Sequence, residues 1–163
     1  MPQFSRIAAP AVLLAALALS GCTAAPSQTP AATSAACEVT VVVDYGVLDK
    51  DSVRECTDAG VATDVLAAAG ITTKGTDDYG DQVVCRVNGE PSEKETVSIE
   101  GQAPFVESCK TLNSVAYWAL WVKQSTNADW EYAQEGASTL ELTDGQSVGL
   151  VYTAGTDSTP PQD

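Results

Sequence analysis

The chain has 163 residues, 8 basic and 22 acidic side chains and no histidine, for a formal charge of −14. Such acidity offers nothing to a phosphate backbone, whose binding depends on Lys and Arg releasing counterions, so nucleic-acid binding is not expected. The lack of imidazole removes His-dependent nucleophiles, His-ligated zinc and His general acid–base chemistry.

The first element is an export segment. Arg6 precedes an apolar run, Ile7-Ala8-Ala9-Pro10-Ala11-Val12-Leu13-Leu14-Ala15-Ala16-Leu17-Ala18-Leu19, which is short for a membrane span and reads as a signal peptide over residues 1–21. It ends in Leu19-Ser20-Gly21-Cys22, a sequence similar to the lipobox of bacterial lipoproteins, in which the cysteine thiol accepts a diacylglyceryl group. The expected product is therefore lipidated on Cys22 and held at the extracytoplasmic face of the cell membrane, anchored without spanning it. Its charge is −15, because 22 acidic side chains then face 7 basic ones. The next residues, 23–36, have no charge and no large apolar side chain. With Cys22 they form an expected linker over 22–36, whose fourteen flexible residues reach at most about 50 Å.

The folded domain is expected over residues 37–155, with a disordered tail at 156–163. Glu38-Val39-Thr40-Val41-Val42-Val43-Asp44-Tyr45 is β-branched and reads as a strand. A second strand is expected over residues 52–57, joined to the first as a hairpin through polar turn residues 46–51. Val61, Val65, Leu66 and Ala69 share one helical face, and Gly70 suits the left-handed position that ends a helix. Residues 71–81 read as a polar loop, residues 82–87 as a strand, and Asn88-Gly89 as a tight turn. Further strands are expected at 116–122, 130–133, 139–142 and 147–152, the last two paired through Thr143-Asp144-Gly145-Gln146 as a second hairpin. One helix among these strands describes an α+β domain in which a β-grasp-like mixed sheet packs against a single helix.

Cys37, Cys56, Cys85 and Cys109 are even in number and lie in an expected exported domain, so two disulfides are the default. Three connectivities are open. Local pairing is favoured, because Cys37 and Cys56 flank the first hairpin while Cys85 and Cys109 bracket a long insertion between strands. A metal site would need close cysteine pairs, and these spacings supply none, so no metal and no cofactor are expected.

Taken in order, Val41-Val42-Val43-Asp44-Tyr45-Gly46, Asp64-Val65-Leu66-Ala67-Ala68-Ala69-Gly70, Cys85-Arg86-Val87-Asn88-Gly89-Glu90-Pro91, Tyr117-Trp118-Ala119-Leu120-Trp121, Gly136-Ala137-Ser138 and Asp144-Gly145 resemble the transcobalamin-like C-terminal domain of bacterial surface lipoproteins. The resemblance covers residues 37–153 and implies the same β-grasp-like fold. The family is largely of unknown function and is named after the smaller domain of animal cobalamin carriers, which helps to cover the corrinoid. The large helical partner domain of those carriers has no counterpart here.

Five of the eight Trp and Tyr residues fall between Tyr117 and Tyr132. Strand alternation puts Tyr117 and Trp121 on one sheet face and Trp118 on the other, and one helix covers only one face. Tyr117, Trp118, Trp121 and Trp130 are therefore the candidate ligand-binding residues, offering flat surfaces to a corrinoid, a sugar or a peptide. The acidic run Asp77-Asp78-Tyr79-Gly80-Asp81 lacks the alternating oxygen ligands of a calcium loop. Asp44, Glu131 and Glu135 would serve catalysis only if two of them faced each other across a cleft, and no enzyme is expected. The sequence leads to a non-catalytic binding module, an accessory to uptake, or alternatively to an interaction or adhesion component that docks on another envelope protein.

Overall fold

The structure, a computed structural model, describes residues 37–155 and 159–162. The expected signal peptide, the expected lipidation site at Cys22 and the expected linker lie outside the described residues.

Strand β1 (Val39–Asp44) buries Val39, Val41 and Val43 on one face, as its alternation requires. It pairs antiparallel with β2 (Val53–Thr57), from Val39 opposite Thr57 to Val43 opposite Val53. A turn of 3₁₀ helix at Gly46–Leu48 opens the connection between them. A two-residue strand, β3 (Gly60–Val61), leads into α1 (Ala62–Ala68), whose Ala62, Val65 and Leu66 are buried. Gly70 closes the helix at φ 76°, the left-handed conformation that glycine adopts without a steric cost.

Residues 71–81 differ from the polar loop expected. They contain β4 (Thr73–Thr76) and the start of β5 (Gly80–Val87), which pair antiparallel with shifts of register around Gly75. Thr-Lys-Gly-Thr has no apolar alternation, because this ribbon is irregular and exposes Lys74. After β5, Asn88 and Gly89 both take positive φ in a two-residue turn closed between Val87 and Glu90.

Four strands remain: β6 (Ala116–Lys123), β7 (Trp130–Tyr132), β8 (Glu141–Leu142) and β9 (Ser147–Ala154). The five-stranded sheet runs β2-β1-β9-β6-β7, with β1 and β9 parallel and the other neighbours antiparallel. The expected hairpin of the last two strands does not form. Strand β8 pairs instead with β3, while β9 inserts between β1 and β6. The cause is burial: every residue of β9 from Ser147 to Thr153 is buried, so the strand needs neighbours on both edges. The turn before it also leads that way, since the Gly145 N–H donates to the Glu38 carbonyl at 2.8 Å and delivers β9 beside β1.

The main core lies between the sheet and α1. Val39, Val41 and Val43 from β1, Val148, Leu150 and Tyr152 from β9, and Trp118 and Val122 from β6 pack with Val65 and Leu66. The chain is thus an α+β domain, mostly sheet with one helix, stapled by two disulfides. They join Cys37 to Cys56 and Cys85 to Cys109, with Cα separations of 5.4 and 5.5 Å, the local pairing expected.

The segment from Asn88 to Val115 carries little regular structure and is fastened at several points. The Arg86 guanidinium, buried in β5, donates to the carbonyl of Pro91 near the start of the segment and to that of Glu107 near its end, the latter at 2.7 Å. The buried Glu107 carboxylate accepts from the Cys109 N–H at 2.7 Å and from the Asn113 amide at 3.3 Å. Lys50 pairs with Glu90 at 2.5 Å and ties the first turn to the same segment. Their hydrogen bond holds the Glu90 carboxyl below, and the Lys50 ammonium above, its ordinary range.

Candidate functional site

The four candidate aromatics do not form one surface. Trp118 belongs to the core at 4% exposure: its ring meets Tyr45 and Tyr152 edge-on at 5.5 and 5.3 Å, and its indole N–H donates to the Glu90 carbonyl. Tyr117 and Trp121 lie on the opposite face with Ala119 and Val151, as alternation requires. Trp121 stacks on Tyr132 with centroids 4.1 Å apart. Trp130 packs beside this group, with the Lys123 ammonium 5.7 Å from its ring centre.

What brings Tyr117 and Trp118 to a common opening is the edge of β6. Strand β7 covers that edge only from Trp121 to Lys123. Beyond it the Leu120 carbonyl accepts the Ala133 N–H at 3.0 Å, and no strand among the described residues pairs with the remainder. In an antiparallel ladder alternate residues turn both backbone groups to the same side, so those of Trp118 face the opening along with the Leu120 carbonyl. Across the gap stands β5.

The result is a slot of about 270 Å³ between β5 and β6. Gln82, Val83 and Val84 form one wall, Tyr117 to Leu120 the other, and Leu112 the rim. Tyr132 and Ala133 close one end, and Ala137 and Leu150 also line it. Leu112, 48% exposed, and Tyr132, 39% exposed, present apolar surface at the mouth. A hydrogen bond to Tyr132, followed by burial, holds the Tyr117 phenol above its ordinary range. The slot therefore combines apolar walls with main-chain hydrogen-bonding groups, which is how sites for small ligands or inserted side chains are built.

A roomier cleft, about 340 Å³, lies at the far end of β1 and β9, lined by Asp44, Gly46, Val47, residues 151–154 and Thr159. It has no aromatic wall other than Tyr152, whose side chain belongs to the core. Of the carboxylates considered for catalysis, Asp44 accepts the Gly46 N–H at 2.8 Å within its own turn, while Glu131 and Glu135 are exposed. The acidic run is held by its backbone, Asp77 and Asp78 donating to the carbonyls of Cys109 and Lys110. Among the described residues no group of three or more potential ligands could hold a metal ion, and no helix is long and apolar enough to cross a membrane.

The β5 wall and Leu112 were not among the residues singled out from the sequence. Val83 and Val84 are legible only as strand residues, and nothing in a sequence says that two strands stand side by side without pairing. The one available signal was Arg86, a charge inside the apolar run Val83-Val84-Cys85-Arg86-Val87, which marks a buried anchoring point for the segment that carries Leu112. The chain matches no family model, no curated protein and no solved structure.

Proposed function

We propose that this chain is a lipid-anchored, extracytoplasmic binding module without catalytic activity, and that its ligand enters the slot beside β6. The observation that carries the reading is the unpaired length of β6, where apolar walls from Val83, Leu112 and Tyr117 flank main-chain groups able to hydrogen-bond. At about 270 Å³ the slot falls just below the range of ligand cavities, roughly 300 to 1,000 Å³. It thus suits a side chain, a short peptide or one sugar ring better than a corrinoid. The β-grasp-like reading draws support from the strand order. Counted along the chain within the five-stranded sheet, the strands stand second, first, fifth, third, fourth, with the first and fifth parallel.

Calorimetric titration of the protein with peptides, cell-wall sugars and corrinoids tests the binding site. Leu112→Asp and Tyr117→Ala, both at the rim, should weaken whatever ligand binds by at least tenfold. A ligand held equally by both variants, with the fold intact, removes the slot from consideration. The free edge favours a second reading, in which an envelope protein adds an extended segment there. Absence of any small ligand together with co-purification of one membrane protein, lost on Leu112→Asp, would establish that alternative. The anchor is tested separately: Cys22→Ala should abolish acyl labelling and release the protein from membranes, and unchanged fractionation would refute lipidation.

A further inference from the structure

The sheet face turned away from α1 holds Val42, Ala119, Trp121 and Val151, each at most 5% exposed. The residues described over this face belong to the chain's own end. Thr159 lines a cleft with Asp44, Val151 and Thr153. Pro161 is buried and crowds Gly149 so closely that a Cβ there would collide with its ring. The Trp130 ring edge stands 3.2 Å from the same point. Residues 159–161 thus lie along β9, from the level of Thr153 and Val151 to that of Gly149.

The steps match. Two residues of polyproline II advance about 6 Å and two residues of a strand about 7 Å, so Thr159 and Pro161 keep pace with alternate residues of β9. Gly149 is the residue of β9 that leaves room for a ring, and Trp121 stands opposite it in the β6–β9 register. Trp130 flanks the position, and Tyr132 stacks on Trp121. The Trp121 indole N–H is buried and has no partner, leaving a donor on the face where an extended segment would present carbonyls. Aromatic side chains around a shallow groove with an indole donor are the means by which proteins hold proline-rich segments, whose extended form is already set by the ring.

We propose that this face is a seat for proline-rich extended peptides and that Thr159-Pro160-Pro161 is its built-in occupant, displaced by such a segment from a partner. This site lies on the sheet face turned away from α1 and shares Tyr132 with the slot beside β6, but its test rests on Gly149 and the prolines, which do not line the slot. A small Cβ-free floor and a flanking ring select a proline over a bulkier residue, and a tail joined by a few residues competes at high effective concentration. Binding from outside is therefore weak until the tail is lifted.

The test titrates the full chain with an octaproline peptide, and with an octaserine control, following Trp emission. Replacing both prolines (P160S/P161S) should tighten octaproline binding at least tenfold over the parent chain and make the Trp emission more accessible to acrylamide. Gly149→Ala should also raise acrylamide access, because the methyl group lifts the tail, yet should not bind octaproline, because the same methyl group fills the seat. In the parent chain, saturating octaproline should expose the C-terminus to carboxypeptidase. Equal affinity in parent and P160S/P161S, binding of octaserine as tightly as octaproline, or unchanged quenching in both variants would overturn the proposal. So would a carboxypeptidase rate indifferent to the peptide.

Discussion

Replacing Arg86 by methionine tests whether one side chain holds the long segment between β5 and β6 in place. The guanidinium reaches the carbonyls of Pro91 and Glu107, both in buried surroundings. Leaving a buried acceptor without its donor costs about 1 to 3 kcal/mol, so two such losses amount to about 4 kcal/mol. The Arg86 Nε has no partner, and removing that unsatisfied donor offsets about 1 kcal/mol. The net loss for Arg86→Met is then about 3 kcal/mol. Arg86→Lys should cost about half as much, because an ammonium serves one of the two carbonyls where the planar fork serves both. Urea unfolding measures the loss. Amide exchange localises it, and faster exchange should be concentrated between Asn88 and Val115, with β1 and β9 unchanged. A loss below about 1 kcal/mol, or acceleration spread evenly over the sheet, would refute the reasoning.

The remaining predictions concern other parts of the domain. Replacing Cys85 and Cys109 together by serine frees a loop closed over a separation of 24 residues and should cost about 3.5 kcal/mol in the chain-entropy estimate; a loss under about 1 kcal/mol would mean that Arg86 alone suffices. Trp118→Ala should destabilise by about 3 to 5 kcal/mol as a core truncation, whereas Leu112→Ala at the exposed rim should stay within about 0.5 kcal/mol. Equal losses in thermal unfolding would contradict the division between core and slot. Burial, reinforced by the Glu107 and Glu95 carboxylates, holds the Tyr152 phenol well above the ordinary tyrosine range. Its neutral form is therefore the one the fold favours: the contribution is complete below about pH 10 and is lost as pH rises toward the folded-state value. Tyr152→Phe should flatten the alkaline fall in stability and cost little at neutral pH, since the hydroxyl has no partner; an unchanged alkaline limb would sink that assignment.

The strands that read most clearly in the sequence are those whose chemistry is local. Val39, Val41 and Val43 alternate, Asn88-Gly89 can hardly be anything but a turn, and the cysteines flank the elements that they tie. Where the reading failed, the deciding contacts were distant. Ser147 to Tyr152 reads as a strand, yet its partners are β1 and β6, far away along the chain, and not β8 across the preceding turn. Thr73 to Thr76 is a strand only because β5 lies beside it. The alternation that placed Trp118 opposite Trp121 was sound, but which face the helix covers is a tertiary fact, and it sent Trp118 to the core. Pro160-Pro161 signals only an extended chain; that Gly149 makes room for Pro161 follows from a close approach of backbone to ring.

The parallel pairing of β1 with β9 has a mechanical consequence. A load drawn between the two ends of the domain pulls on the start of one strand and the end of its parallel neighbour, so the strands must slide past each other. Every hydrogen bond from the level of Thr40 and Ser147 to that of Asp44 and Val151 is then strained at once, unlike a hairpin, which unzips one rung at a time. Resistance of this kind is governed by the unfolding barrier and not by the equilibrium free energy. The Cys37–Cys56 bond lies at the loaded end of β1 and ties it to β2, so force arriving through residue 37 is shared between two strands before it reaches the centre of the sheet.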